Sequence, residues 1–171
     1  MKRYKFAGIE VEVNALDGIM YEDEHVLAEF SAEDVSNPHM FTFERVDTIG
    51  APIGKLIASF PNYRTYINEE EQMRYIGSVL NSWENAYMMV IHRGKEHQVK
   101  LQKGTYDGPM GTNTLLNAMS AEHLVLEANG VILHNSFISH NGKAILFTAP
   151  SGTGKSTQAE LWKEHRKADK V

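Results

Sequence analysis

The sequence predicts an α/β protein in which a β-rich N-terminal region is followed by a strand–loop–helix module. Two observations predict this arrangement. Short segments with alternating apolar side chains, such as Phe6–Val13, fill the first hundred residues between turn residues. The period then changes, because apolar side chains recur at helical spacing over residues 114–128. We therefore predict two regions, residues 1–111 and 112–171, with the glycine-rich stretch 104–111 as their linker.

Composition and charge exclude several functional classes. The 171 residues include 17 Lys and Arg against 22 Asp and Glu, which gives a formal net charge of −5. Proteins that bind a nucleic acid backbone usually carry a basic balance, so we expect no nucleic-acid partner. No apolar run approaches the roughly 18 residues of a membrane span, and the N-terminus lacks the apolar core of a signal peptide, so we expect no membrane partner. The absence of Cys excludes thiolate chemistry and agrees with a cytoplasmic location.

In the N-terminal region, the apolar pattern predicts one hairpin and leaves one segment ambiguous. Residues 87–92 and 98–101 form a predicted hairpin that turns at Arg93-Gly94-Lys95. Residues 68–83 leave two interpretations open. The acidic start Asn68-Glu69-Glu70-Glu71 favours a helix, whereas Met73-Arg74-Tyr75-Ile76 is equally typical of a strand.

The second region has a predicted order of helix, strand, hairpin turn, strand and helix. The helix over residues 114–128 can be capped by Thr112 or Asn113 and can end at Asn129-Gly130. A strand over residues 131–139 follows. The dipeptide Asn141-Gly142 predicts a tight hairpin to an almost wholly apolar strand over residues 144–148, which we expect in the centre of a sheet.

One motif in the second region carries chemistry. Residues 149–157 read Ala-Pro-Ser-Gly-Thr-Gly-Lys-Ser-Thr, which matches the P-loop pattern GxxxxGK[ST] except for Ala149 at its first position. Its context matches too, since an apolar strand enters the loop and a helical segment leaves it. A chance glycine-rich turn is the competing interpretation.

The residue types suit a polyphosphate. Glycines let consecutive backbone N–H groups point inward, and the start of the next helix adds unpaired N–H groups. A lysine supplies charge to the β and γ phosphates, and a serine hydroxyl can ligate Mg²⁺. The predicted binding residues are Ser151, Gly152, Thr153, Gly154, Lys155, Ser156 and Thr157, with Ser156 as the metal ligand and Lys155 also as the catalytic phosphate partner.

The stretch 133–157 resembles the nucleotide-binding core of the HPr kinase/phosphorylase-related serine kinases, whose site is similar to that of phosphoenolpyruvate carboxykinases. The features that carry the resemblance are the pair Leu133-His134, the tight hairpin and the second strand that feeds the P-loop. The resemblance covers about residues 113–171, which correspond to the start of such a kinase domain. It implies ATP and Mg²⁺ as cofactors, and transfer of the γ-phosphate to a serine-type hydroxyl of a protein, a peptide or a small molecule. It also implies that His134 lies near the γ-phosphate or the metal, although a plain packing or surface histidine is the alternative, and it leaves homo-oligomer formation open.

Two departures from the family pattern favour a relative with another substrate over the HPr-modifying enzyme itself. Thr157 stands where those enzymes usually carry an acidic residue, and Asn135 stands where a glycine usually follows the Leu-His pair. The other seven histidines show no metal-ligand spacing, so we expect them to be solvated or locally hydrogen-bonded: His25, His39, His92, His97, His123, His140 and His165.

The metal-binding and base carboxylates of such a kinase are expected on the strand after the P-loop helix, about 20 residues past the lysine. The chain ends at Val171, and Asp169 lies early for this role. We therefore expect a kinase domain truncated before its metal-binding acid, which binds nucleotide weakly and turns over little alone. Two further hypotheses stay open: a nucleotide-binding module without catalysis, and a general P-loop ATPase.

Overall fold

The computed structural model describes residues 1–15, 25–105, 111–133, 135–167 and 169–170. The chain divides into two compact units, Met1–Gly130 and Val131–Val171, and each has its own sheet. The architecture is mixed α/β, as predicted, with a large mixed sheet and a few helices. Within the described part of the chain, no helix has the length and apolar character needed to cross a membrane.

The first unit is built on an eight-stranded sheet. The strands are Lys2–Phe6 (β1), Ile9–Ala15 (β2), His39–Val46 (β3), Lys55–Ser59 (β4), Tyr63–Ile67 (β5), Gln72–Ile76 (β6), Met88–Arg93 (β7) and Glu96–Gln102 (β8). The sheet order is β1-β2-β3-β8-β7-β6-β5-β4, in which β2, β3 and β8 run parallel to one another and the other neighbours are antiparallel.

The predicted hairpin of residues 87–101 is confirmed as β7 and β8. Arg93 pairs with Glu96, so the turn itself is Gly94-Lys95. The ambiguous segment 68–83 contains strand β6 rather than a helix, followed by a short 3₁₀ turn at Trp83–Asn85. The acidic start is the turn between β5 and β6, because Ile67 pairs with Gln72, and within this turn the Asn68 side chain accepts hydrogen bonds from the backbone N–H groups of Glu70 and Glu71.

The sheet is covered on both faces over its central strands. Met88 and Val90 of β7 belong to one buried cluster, and Met89 and Ile91 belong to the other. Because side chains alternate across a strand, β7 must be buried on both faces, and it has the nearly continuous apolar sequence expected for that position.

The helices of the first unit are His25–Ala28 (α1), Thr112–Ala118 (α2) and Ala121–Glu127 (α3). The single helix predicted over residues 114–128 is therefore two helices, because Ser120 adopts a left-handed conformation with φ 49°. Leu115, Met119 and Leu124 are buried in the same cluster as β2, β3, β7 and β8. Their apolar face thus completes the core of the first unit, whose boundary falls after Gly130, whereas the sequence placed these helices in the second region.

The second unit contains Ser136–His140 (β9), Lys143–Phe147 (β10), Lys155–Arg166 (α4) and Asp169–Lys170 (β11). The hairpin predicted at Asn141-Gly142 is confirmed, because both residues have positive φ, 52° and 70°, as a two-residue turn between β9 and β10 requires. The strand predicted over residues 131–139 begins only at Ser136.

The sheet order in the second unit is β10-β9-β11. The expectation of a central position for β10 is therefore wrong for the described residues, since β9 is its only neighbour there. Helix α4 packs on one face of this sheet, where Ala159 and Ile138 are buried and Ile145 and Phe147 of β10 are partly buried. Leu146, on the other face of β10, is exposed. Because α4 covers one of its faces, the apolar strand β10 can lie at the edge of the sheet.

Candidate functional site

The candidate site is the loop between β10 and α4. Gly152 and Gly154 have φ values of 79° and 84°, a region that side chains with a Cβ disfavour. A Cβ added at Gly152 would meet no atom within 4 Å, so the backbone conformation rather than space requires glycine there. Gly154 is the N-cap of α4, and Lys155 is the first helical residue. The two glycines therefore shape the bend that leads into the helix.

The start of α4 presents unpaired backbone N–H groups. The Gln158 N–H donates to the Gly154 carbonyl at 2.9 Å as the first bond of the helix. Among the described residues, no side chain caps Gly154 and no acidic residue lies in the first turn. The positive end of the helix dipole therefore has no carboxylate of its own turn beside it, which favours an external anion.

Lys155 is half-buried and folds its side chain back over the loop. Its ammonium donates to the carbonyls of Ala149 at 2.8 Å and Pro150 at 3.1 Å. The Thr153 hydroxyl donates to the same Pro150 carbonyl at 2.7 Å. These bonds hold the two ends of the loop together, and the described residues offer the Lys155 ammonium no carboxylate partner.

A second hydroxyl lies beside the predicted metal ligand. The Oγ atoms of Ser156 and Ser136 are 3.3 Å apart and both side chains are accessible to solvent. Ser136 lies at the start of β9, where it pairs with Phe147 at the end of β10. Ser136 was not among the site residues predicted from the sequence. Counting outward from the two-residue turn at Asn141-Gly142 pairs residue 136 with residue 147, so the register was available from the sequence.

A cavity of about 340 Å³ opens beside the loop. This volume lies near the lower end of the range for small-molecule sites, about 300–1,000 Å³. Its lining combines the end of β10 with the loop and the first turn of α4: Leu146, Phe147, Thr148, Ala149, Thr153, Lys155 and Gln158.

The predicted binding residues fall on one continuous segment. Ser151, Gly152, Thr153 and Gly154 form the loop, and Lys155, Ser156 and Thr157 form the first turn of α4. Asp169 pairs through its backbone with Ser139 of β9. His134 lies outside the described residues, so its predicted position near the γ-phosphate stays a prediction. Among the described residues, no group of three or more His, Asp or Glu side chains is placed to hold a metal ion.

A different set of histidines forms a cluster in the first unit. The His39 Nδ1 and His97 Nε2 atoms are 3.0 Å apart, and the Nδ1 atoms of His97 and His92 are 2.9 Å apart. The His92 Nε2 atom lies 3.5 Å from the Ser120 hydroxyl. We call these three imidazoles and the Ser120 hydroxyl the histidine chain. Local hydrogen bonding was predicted correctly for these histidines, but His92 and His97 are buried rather than solvated.

The sequence contained one signal for this cluster. His92 and His97 lie directly opposite each other across the hairpin of β7 and β8, because the turn is the two residues Gly94-Lys95. The three-residue turn predicted from the sequence would have placed His92 opposite Glu96 instead. His39 could not be placed, because it joins the cluster through the parallel pairing of β3 with β8.

Comparisons with protein-family models, with curated proteins and with solved structures each give no match to this chain.

Proposed function

We propose that residues 149–157 bind the triphosphate of ATP with Mg²⁺, and that the complete protein is a kinase that transfers the γ-phosphate to a serine-type hydroxyl. The observation that supports this most is the glycine-shaped bend at the uncapped start of α4, where Lys155 is the first helical residue. A polyanion can replace the loop carbonyls as the partner of the Lys155 ammonium, and it can accept hydrogen bonds from the N–H groups at the start of α4.

Each residue has a distinct task in this proposal. The backbone of residues 151–156 surrounds the β and γ phosphates, and the Lys155 ammonium offsets their charge. Ser156 supplies a hydroxyl oxygen to Mg²⁺, a cation that takes its remaining ligands from phosphate oxygens and water. A hydroxyl fits this role, and the neighbouring Ser136 hydroxyl can orient it by a hydrogen bond.

The transfer step breaks the bond between the γ-phosphorus and the oxygen that bridges it to the β-phosphate. A new bond forms between that phosphorus and the acceptor hydroxyl oxygen, whose proton passes to a base, and ADP leaves. The bound Mg²⁺ would offset charge on the phosphate oxygens. Lys155 and the loop amides would hold the phosphates in position, and positioning with charge stabilisation is most of what this reaction asks of a protein. The proposed acceptor is a serine-type hydroxyl of a protein, a peptide or a small molecule.

The test begins with binding. Titration calorimetry with ATP and Mg²⁺ is expected to give saturable heat with the chain. Replacing Lys155 by Ala removes charge-assisted hydrogen bonds, each worth about 1.5–3 kcal/mol, so affinity should fall about 10- to 100-fold. Lys163→Ala removes the same charge from the exposed end of the same helix and should bind as the wild type does.

Transfer is tested separately from binding. The complete protein is incubated with γ-labelled ATP and hydroxyl-bearing acceptors, and label on a serine hydroxyl supports the kinase. Binding with no transfer and no hydrolysis would favour the non-catalytic module, and hydrolysis alone would favour an ATPase. Absence of binding by the wild type would contradict all three.

A further inference from the structure

The histidine chain leads from the core of the first unit to a surface cavity. The cavity has a volume of about 630 Å³, which suits a small molecule. His39 lies in its wall, and its Nδ1 atom is the outer end of the chain. The rings of His39 and His97 are nearly parallel, at 9°, with centroids 5.3 Å apart, so their hydrogen bond lies close to both ring planes. The His39 Nε2 atom has no partner among the described residues.

The buried imidazoles carry one proton each at neutral pH. Burial lowers the pKa of His92 to about 4 and that of His97 to about 3, and it also lowers the pKa of His39. A neutral imidazole donates from one nitrogen and accepts at the other. Because both nitrogens of His92 and His97 are engaged, every bond of the chain must donate in the same direction.

Two proton arrangements of the histidine chain are therefore allowed. In the first, the Ser120 hydroxyl donates to His92, His92 donates to His97, and His97 donates to His39. The His39 Nε2 atom then carries a proton and is a donor toward the cavity. In the second, every bond is reversed and the same atom is an acceptor. A ligand in the cavity selects between them.

Two unlike charges flank His39. The Lys95 ammonium donates to the Asn37 carbonyl at 2.7 Å and has no carboxylate partner among the described residues. One oxygen of Glu127 lies 3.2 Å from His123 Nε2, which leaves its other oxygen open. After burial, the next influences on the pKa of His39 are Lys95, which lowers it, and Glu127, which raises it. Both charges are thus close enough to act on this imidazole.

The third charge in the cavity wall is already satisfied. Glu10 accepts from Lys5 at 2.8 Å and from the backbone N–H groups of Ser36 and Asn37, and these bonds lower its pKa to about 2. Its role is to hold the loop that forms the rim. Among the residues that the structure describes, the wall therefore leaves one cation, one anion and one neutral imidazole for a ligand, beside the apolar side chains of Ile9 and Leu124.

We propose that this cavity binds a small zwitterion of the amino acid type. Lys95 and the His39 Nε2–H group hold its carboxylate, and Glu127 holds its ammonium. A polyphosphate is disfavoured, since among the described residues of the wall it would face the carboxylates of Glu127 and Glu10 and the single ammonium of Lys95. The site rests on the first unit alone and is independent of the proposed nucleotide site.

The proposal fixes the proton arrangement in the complex. A carboxylate accepts hydrogen bonds and cannot donate them, so it selects the arrangement in which His39 carries its proton on Nε2. The protons of His97 and His92 then lie on Nε2 and Nδ1, and Ser120 donates to His92. Nitrogen chemical shifts distinguish these tautomers directly.

The experiment uses the full chain with ¹⁵N-labelled histidine. Each of the twenty common amino acids is titrated at neutral pH, with propionate and ethylamine as probes that carry only one of the two charges. The variants are Lys95→Met and Glu127→Gln, and the control is Lys55→Met on β4, at the opposite edge of the sheet from β1. All three side chains are on the surface, so the fold should tolerate each change.

The expected result is that at least one amino acid shifts the His39 ring signals saturably and fixes the Nε2–H tautomer. Affinity should fall at least about tenfold in Lys95→Met and in Glu127→Gln, and stay unchanged in Lys55→Met. The proposal is overturned if no amino acid perturbs His39, if propionate or ethylamine binds as well as the zwitterion, or if both cavity variants bind like the wild type.

Discussion

Acidification should destabilise the first unit through His92 and His97. Both are buried, at 7% and 4% exposure, and both have folded-state pKa values far below the ordinary 6.5. The unfolded chain therefore takes up protons that the folded chain refuses. Stability is fully present above about pH 6.5 and is lost as the pH falls toward 4, and then toward 3.

The size of the effect follows, for each histidine, from how far the pH lies below the pKa of the unfolded state while the folded state stays neutral. One pH unit below the unfolded pKa costs about 1.4 kcal/mol for each imidazole that stays neutral in the folded state. At pH 5, about one and a half units below 6.5, each histidine lowers the free energy of unfolding by about 2 kcal/mol relative to pH 7.5. The pair together then removes about 4 kcal/mol, a large share of the roughly 5–15 kcal/mol of an ordinary domain.

Urea denaturation, followed through the backbone amide signals of β7 and β8, measures this loss at pH 7.5 and pH 5. His97→Gln should reduce the difference between the two pH values by about 2 kcal/mol, because one titrating group is removed. His165→Gln, an exposed histidine of α4, should leave the difference unchanged. The other groups that influence the pKa values of His92 and His97 are present in every variant: Arg74, Glu122, His39 and His123. Equal stability at both pH values in the wild type, or an undiminished loss in His97→Gln, would refute this reasoning.

Four further substitutions test the packing, the loop and the hydroxyl beside the predicted metal ligand. Leu124→Ala should lower the free energy of unfolding by about 2–5 kcal/mol, because the side chain is only 1% exposed. Leu126→Ala, on the same helix but with a side chain that is 64% exposed, should change the free energy of unfolding by less than about 0.5 kcal/mol. Urea denaturation measures both. Gly154→Ala forces a Cβ into a left-handed conformation and should cost about 1–2 kcal/mol in the thermal unfolding of the second unit; no loss there would contradict the loop geometry. Ser136→Ala should weaken ATP binding in the presence of Mg²⁺ but not with a chelator, as calorimetry would show; equal weakening in both would place Ser136 on the phosphates instead.

Local features of the fold were predictable from the sequence because they depend on neighbouring residues. The turn at Asn141-Gly142 requires two positive φ values, and few dipeptides adopt them as readily. The loop before Lys155 follows from its glycines, and the hairpin at Gly94 follows from the continuous apolar segment before it and the alternating segment after it. From the turn at Asn141-Gly142 the register can be counted outward to the pair of Ser136 and Phe147, but Ser136 was not predicted as a site residue.

The rest depended on contacts between distant segments. The parallel pairing of β3 with β8 joins residues far apart in the sequence and brings His39 to His97, and no local pattern encodes it. The break at Ser120 was missed because the apolar spacing continues through it and only the left-handed backbone interrupts the helix. The predicted central position of β10 was wrong, because an apolar strand can lie either in the centre of a sheet or at its edge when a helix covers one face of the strand.

Backbone amide NMR of the loop between β10 and α4 is the decisive measurement for the proposed phosphate site. Adding ATP with Mg²⁺ should shift the amide signals of Gly152, Gly154 and Lys155 saturably and leave those of β7 and β8 in place. If the same nucleotide leaves these three amides unmoved at millimolar concentration, the loop is not a phosphate site and the proposed kinase function fails with it.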